Sequence, residues 1–212
     1  QIPNSVLRIG QYSFNYCQFT SLTLGNQLEN ISSSAFSECN LIAGTLRITE
    51  NVKRIDSNAF YCCYNLTTLT LNDQVTIIGY RAFQNCSAIR NAITFPNSLE
   101  SIESYAFQCC SSIPSITLKN GILTINSYAF NYCDQLAGLQ IPDSITFIGS
   151  YAFDHCPRIT SLEIGVNSNL TTISNNAFSY CTGLSKELKL PADMNEIGSE
   201  AFRHCILISS IT

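Results

Sequence analysis

The sequence has few of the residues on which most enzymes, metal sites and nucleic-acid-binding proteins depend. Its 212 residues include 2 histidines and no tryptophan, and charged residues make up 12% of the chain. The 11 basic and 15 acidic residues give a net charge of −4, which lacks the basic excess of a nucleic-acid-binding protein. No apolar run approaches the roughly 18 to 20 residues of a membrane span, and Gln1 does not open a basic and apolar leader.

Sequence motifs for catalysis and metal binding are missing as well. HExxH, GxSxG and a phosphate-binding loop do not occur, and the carboxylates are scattered among turns without a facing pair. The cysteines never form the C-x₂-C pair that zinc sites use. The sequence therefore predicts a chain without enzymatic activity, without a metal site and without a cofactor.

An internal repeat dominates what is present. Cysteine stands three residues after each of nine phenylalanines, isoleucine stands five residues before, and an aliphatic residue or methionine stands eight residues before. No globular core produces such a register by chance, so we expect a solenoid of nine coils of about 23 to 24 residues, with spacings between the phenylalanines of 22 to 25. The phenylalanines are Phe14, Phe36, Phe60, Phe83, Phe107, Phe130, Phe153, Phe178 and Phe202.

Each repeat contains a predicted strand and a predicted turn. An aliphatic–x–aliphatic pair such as Leu139 and Ile141 follows the cysteine, and this alternation is typical of a strand with one buried face. The Ala-Phe-x-x-Cys piece is interpreted as one helical or 3₁₀ turn. Length varies only in the turn between cysteine and strand, which takes five, six or seven residues, and in an insertion at residues 165–169. We expect loops to bulge at these two corners.

The segment from Leu136 to Cys156 carries a motif of the form LxxLxLPxSIxxIGxxAFxxC almost whole. This motif resembles the BspA-type (Treponema pallidum-type) leucine-rich repeats of bacterial and protist surface proteins, and the resemblance covers the entire chain. It implies a β-rich leucine-rich-repeat solenoid that curves right-handed, with a parallel sheet on the concave side and short helical or 3₁₀ turns on the other. It also implies a role in adhesion to, or recognition of, extracellular or host-cell proteins.

The chain is interpreted as a single repeat array over residues 1–212. Neither end offers a recognisable polar cap, because Ile2 lies past a strand position and Ile211 lies inside one. We therefore expect either a fragment of a longer array or a protein that caps itself by dimerising.

The nine cysteines at one register position are most simply a ladder of small buried thiols that packs against the phenylalanine stack. Coils about 4.8 Å apart would bring neighbouring Cα atoms within disulfide range, but the side chains would lie side by side rather than point at each other. The total of 11 cysteines is odd, and the two extra ones, Cys62 and Cys109, lie two coils apart. Free thiols suit a reducing compartment, whereas four glycosylation triplets beginning at Asn30, Asn65, Asn85 and Asn169 suit secretion.

The side chain between the two aliphatics of each strand is expected to face outward. We name this row the hydroxyl-rich face and predict it as a protein-binding surface on the concave side, although a solvated β face chosen for strand propensity explains it as well. It consists of Thr23, Arg47, Thr70, Thr94, Thr117, Gln140, Glu163 and Lys189.

A second candidate row is aromatic. Tyr105, Tyr128 and Tyr151 stand two residues before phenylalanine in three consecutive coils, and we name them the tyrosine stripe. An exposed row of tyrosines fits a binding surface, and ring stacking that covers the turn explains it equally. His155 and His204 lie two coils apart, about 10 Å, so they are interpreted as surface residues rather than metal ligands.

Two functional hypotheses follow. The first is a cell-surface or secreted module that binds an extracellular or cell-surface protein. The alternative is a structural or intracellular scaffold that self-associates through its repeat array. A carbohydrate-binding module is disfavoured on the hydroxyl-rich face, because that face has neither tryptophan nor clustered acids.

Overall fold

The computed structural model describes residues 1–165 and 167–212, and for Lys186 the backbone alone. The chain forms a parallel β-solenoid in which each repeat makes one coil, as the spacing of the repeats predicts. The phenylalanine rings stack in one interior column, with centroids 5.2 to 5.4 Å apart from Phe14 to Phe202. Seven of the nine rings are at most 1% exposed, which confirms the stacked core.

A nine-stranded parallel sheet runs the length of the solenoid. Each strand has two residues and ends at the isoleucine five residues before phenylalanine, and each is in register with its neighbours. The strands are β1 (Arg8–Ile9), β2 (Asn30–Ile31), β4 (Arg54–Ile55), β6 (Ile77–Ile78), β8 (Ser101–Ile102), β10 (Thr124–Ile125), β12 (Phe147–Ile148), β14 (Thr172–Ile173) and β16 (Glu196–Ile197).

The aliphatic–x–aliphatic segments, where the continuous sheet was expected, form four separate parallel pairs instead, apart from the first segment at Leu22 and Leu24, which forms no strand. These are β3 (Gly44–Arg47) with β5 (Leu66–Thr70), β7 (Ile93–Thr94) with β9 (Ile116–Thr117), β11 (Leu139–Ile141) with β13 (Leu162–Ile164), and β15 (Ser185–Leu188) with β17 (Leu207–Ile211).

The position of the continuous sheet follows from loop length. The spacing from the isoleucine to phenylalanine is constant, so its ladder hydrogen bonds keep register in every coil. The aliphatic pairs follow a turn of variable length, and the register shifts between Gly44 and Thr45 and again between Lys186 and Glu187. Between β5 and β7 the Asn91 side chain takes the place of backbone ladder hydrogen bonds. Its amide accepts a hydrogen bond from Leu69 N–H and donates one to Leu69 O.

The predicted helical or 3₁₀ turn at Ala-Phe-x-x-Cys is wrong, and the described residues contain no helix of either type. The residues two before and two after each phenylalanine are left-handed, with φ between 55° and 64°, although none of these eighteen residues is glycine. The left-handed residues prevent a helix because helical φ is negative throughout. The segment is a chain of overlapping four-residue turns.

Successive backbone N–H groups in this segment donate alternately to carbonyl groups of the next coil and of the same coil. In the first eight coils, the N–H groups of phenylalanine and of both left-handed residues donate to carbonyls of the following coil at 2.7 to 3.2 Å. The intervening N–H groups close the turns within the coil, as Cys17 N–H does to Phe14 O at 3.1 Å. A left-handed residue costs roughly 1 to 2 kcal/mol, and the three hydrogen bonds to the next coil offset that cost.

The insertion corner lies partly outside the described residues, because Val166 is not among them. Its described part contains a turn in which Ser168 N–H donates to Gly165 O at 3.1 Å, and Asn169 Nδ2 donates to Asp143 O at 2.8 Å. The described residues contain no helix with the length and apolarity needed to cross a membrane.

Candidate functional site

The hydroxyl-rich face is exposed along the whole solenoid, as the alternation predicts. All eight of its side chains are exposed, and the first aliphatic of every pair beside them is buried. The outward row therefore lies over buried aliphatic side chains and presents one side chain per coil.

Shallow cavities, rather than a flat surface, line this face. One of about 270 Å³ is bordered by Thr70, Thr94 and Lys119, and one of about 540 Å³ by Thr117, Gln140 and Glu163. Lys189 forms an ion pair with Glu187, with a separation of 3.5 Å, so one of the few charges at this end of the face is already compensated.

The tyrosine stripe is a ring stack. The rings of Tyr105 and Tyr128 lie 4.6 Å apart and those of Tyr128 and Tyr151 lie 4.7 Å apart, with interplanar angles of 5° and 8°. The Arg81 guanidinium lies 5.2 Å from the Tyr105 ring centroid and covers the end of the stack. Burial and the two neighbouring phenols raise the pKa of Tyr128. The ring faces contact each other, and the three tyrosines are half-buried rather than exposed as the sequence led us to expect.

A second aromatic stack runs beside the cysteine column. Tyr132, His155, Tyr180 and His204 stack consecutively with centroids 4.3 to 4.6 Å apart. The Nδ1 atom of His155 lies 2.8 Å from Oδ2 of the buried Asp154. The separation of His155 from His204 by a tyrosine ring agrees with their interpretation as residues that share no metal ion. Among the described residues, no group of three or more His, Cys, Asp or Glu side chains is placed to hold a metal ion.

A polar ladder, half-buried at Gln84 and Gln108 and buried at Asn131 and Asp154, lies one residue after phenylalanine, and sequence reasoning missed it. Gln84 Nε2 donates to Gln108 Oε1, Gln108 Nε2 donates to Asn131 Oδ1 at 2.7 Å, and Asn131 Nδ2 donates to Asp154 Oδ2 at 3.1 Å. The signal was available, because four consecutive coils carry an amide or a carboxylate at that position. The ladder ends at the carboxylate that contacts His155.

The cysteine ladder is confirmed and has a hydrogen-bonding role. From Cys39 to Cys205, each of the eight column thiols lies 2.9 to 3.3 Å from the carbonyl oxygen of phenylalanine in the preceding coil. All 11 cysteines are free. Burial raises the pKa of Cys39 to about 12 and that of Cys205 to about 11, so these thiols stay protonated and weakly nucleophilic at neutral pH.

Comparison with known proteins agrees with this architecture. Residues 1–113 and 100–212 match the model of the BspA type leucine rich repeat region, with 6 copies. The chain belongs to the BspA-type leucine-rich repeat family. A search of curated proteins found no match.

Solved structures share the fold of this BspA-type chain. The leucine rich repeat protein of T. pallidum is 23% identical over 80% of this chain and 73% of its own, with a TM-score of 0.64. A leucine rich cell surface protein of Faecalibacterium prausnitzii is 23% identical over 97% of this chain and 64% of its own, with a TM-score of 0.68. The pneumococcal vaccine antigen PcpA is 23% identical over 80% of this chain and 44% of its own, with a TM-score of 0.53. At these identities the likeness concerns the fold alone.

Proposed function

We propose that the chain is a non-enzymatic, protein-binding module of a cell-surface or secreted protein, and that its hydroxyl-rich face binds an extracellular or cell-surface protein. The observation that carries the proposal is the exposure of all eight outward side chains in one row over a buried floor. Such a row offers one hydrogen-bonding group per coil, which suits an extended protein surface better than a small ligand.

Membership of the BspA-type family supports a role in protein interaction. The Faecalibacterium prausnitzii structure is described as a cell surface protein and the pneumococcal one as a vaccine antigen, which supports a location outside the cell. The tyrosine stripe is the second candidate surface, because its three stacked rings form a row on another part of each coil.

Charge substitution on the hydroxyl-rich face tests the proposal. The purified chain is measured by biolayer interferometry against a panel of immobilised extracellular-matrix proteins, alongside a Thr70→Glu/Thr94→Glu/Thr117→Glu variant. We expect the variant to lose at least about tenfold in affinity, because a carboxylate desolvated without a partner in an interface costs more than 1.4 kcal/mol.

A matched control carries the same three added charges elsewhere. Gln11→Glu, Thr146→Glu and Asn195→Glu replace exposed side chains outside the hydroxyl-rich face, and this variant should bind like the parent. Equal loss in both variants, or unchanged binding of the Thr70→Glu/Thr94→Glu/Thr117→Glu variant, would remove the hydroxyl-rich face from the proposal. Absence of binding together with a mass that rises with concentration in light scattering would favour the self-associating scaffold.

A further inference from the structure

A groove beside the first three strands of the continuous sheet is lined only by polar and charged residues. Its volume is about 570 Å³, and its lining residues are Arg8, Gln27, Glu29, Asn30, Asn51, Lys53 and Arg54. We name it the basic groove. It lies outside the hydroxyl-rich face, since Arg8, Asn30 and Arg54 belong to β1, β2 and β4.

We propose that the basic groove binds an acidic polysaccharide. In the sheet ladder Arg8 pairs in register with Asn30, and Asn30 pairs with Arg54. With strands about 4.8 Å apart, the two arginine backbones stand about 10 Å apart with an amide side chain between them. The regular spacing of the coils therefore places two arginines at the same register position two coils apart, a repeat that a linear polymer with repeated anionic groups can follow.

The positive charge of the groove is only partly compensated. Arg54 Nε lies 3.4 Å from Asp56 Oδ1, whereas Arg8 and Lys53 form no ion pair with any described residue. Glu29 is the single carboxylate in the lining. Neither half of the chain is basic overall. Residues 1–100 carry six basic and six acidic residues, and residues 101–212 carry five basic and nine acidic residues. The groove is a local cationic site on an acidic protein.

The lining also discriminates among polyanions. Guanidinium groups form paired hydrogen bonds with sulfate or carboxylate oxygens, and the amides of Gln27, Asn30 and Asn51 can exchange hydrogen bonds with sugar hydroxyl groups. Asn30 Oδ1 is sheltered from solvent and has no hydrogen-bond partner among the described residues, so the lining contains an oxygen whose hydrogen-bonding capacity is unused. No aromatic ring lines the groove, which removes the stacking on which single-stranded nucleic acids depend. No apolar side chain lines it either, so an acidic peptide would find no pocket for its own apolar side chains.

Binding of heparin, hyaluronan and neutral dextran to the whole chain tests the proposal and separates sulfate from carboxylate as the recognised group. We expect one or both acidic polymers to bind and dextran not to bind. Affinity should fall as salt rises from about 50 to 200 mM, because binding releases counterions from the polyanion. An Arg8→Gln/Lys53→Gln variant should bind roughly tenfold more weakly or worse, with a smaller salt dependence.

The control variant is Arg90→Gln/Arg158→Gln, which removes two exposed cations that also lack ion pairs among the described residues. It should keep the affinity of the parent, and both variants should keep its thermal midpoint. Equal weakening in the two variants, binding of poly-glutamate as tight as that of the polysaccharides, or binding of neither acidic polysaccharide would overturn the proposal. None of these outcomes bears on the hydroxyl-rich face, which uses a different surface and a protein ligand.

Discussion

At the scale of single residues, each cysteine of the ladder from Cys39 to Cys205 connects two coils through a hydrogen bond. The carbonyl oxygen of Phe14 accepts hydrogen bonds from Cys17 N–H at 3.1 Å and from Cys39 Sγ at 2.9 Å. Alanine at this position would lack the donor, and valine would add a second branch beside the ring stack. A thiol fills the space with little desolvation cost, which explains why one residue type repeats in every coil.

The thiols make stability sensitive to alkaline pH. The folded state raises the pKa of Cys39 from 9.0 to about 12 and that of Cys205 to about 11, because burial penalises the thiolate. The unfolded chain loses these protons near pH 9, while the folded chain keeps them. We expect the free energy of unfolding to be unaffected by these thiols below pH 9 and to fall as pH rises from 9 toward 12.

Denaturant titrations between pH 7 and pH 11 measure this effect. A Cys39→Val variant serves as the control, because it removes one titrating thiol and should show a shallower fall above pH 9. A stability that stays constant to pH 11, or that falls equally steeply in the variant, would contradict the prediction.

At the scale of the repeat element, contact between successive coils depends on how close the backbones approach. Gly149 and Gly10 both stand four residues before phenylalanine, but in different surroundings. A Cβ atom on Gly149 would lie 2.5 Å from Ser127 N in the preceding coil, whereas one on Gly10 would meet only Ser13 Oγ at 3.3 Å. The same repeat position is therefore closed to a side chain in one coil and nearly open in another.

This contrast gives a paired prediction. Gly149→Ala should destabilise the chain by about 1 to 3 kcal/mol, because backbone atoms must move to admit the methyl group. Gly10→Ala should change stability by no more than about 0.5 kcal/mol, as is usual for exposed substitutions. Urea denaturation of the two variants and the parent checks both values. A Gly149 variant as stable as the Gly10 variant would mean that the coils adjust freely.

The repeat element also shows how far sequence reasoning extends. The columns of phenylalanine, cysteine and isoleucine were predictable because their spacing is strict, and the exposed row of the hydroxyl-rich face followed from alternation. The continuous sheet could have been placed correctly, since only the segment of constant length can keep an unbroken ladder. The left-handed turns could not, because positions such as Tyr128 and His155 lack the glycine or asparagine that normally signals positive φ. They adopt it because the neighbouring coils supply hydrogen-bond partners.

The two proposed binding surfaces also differ in how far the sequence predicts them. That Thr94 faces outward was predictable, whereas the basic groove was not, because Arg8 and Arg54 are separated by two coils in the sequence. Their alignment appears only once the isoleucine segment is known to form the continuous sheet. The position of the continuous sheet thus locates the basic groove. It also shows that the hydroxyl-rich face lies outside that sheet.

At the scale of the whole molecule, stability is distributed along the stack. Each coil packs on its neighbours alone, so the cost of a core deletion depends on how completely the deleted side chain is enclosed. Phe130 is fully buried between Phe107 and Phe153, with centroids 5.4 and 5.3 Å away, whereas Phe14 is only partly buried.

Truncation of these two rings should therefore have unequal effects. Phe130→Ala should lower the free energy of unfolding by about 3 to 5 kcal/mol, because it leaves a cavity in the middle of the column. Phe14→Ala should cost clearly less, since its ring is already in contact with solvent. Thermal and urea unfolding of both variants provide the measurement, and equal losses would show that the column does not carry stability locally.

The eighteen left-handed residues have a consequence for what the molecule can display. Tyrosine, histidine, serine, asparagine, glutamate, arginine and cysteine all occupy these sites, so the backbone there accepts many side chains. The two left-handed positions of each coil thus form two rows of side chains along the solenoid, with one residue of each row in every coil. Different side chains can therefore be presented at regular intervals along the solenoid without any change to the buried phenylalanine and cysteine columns.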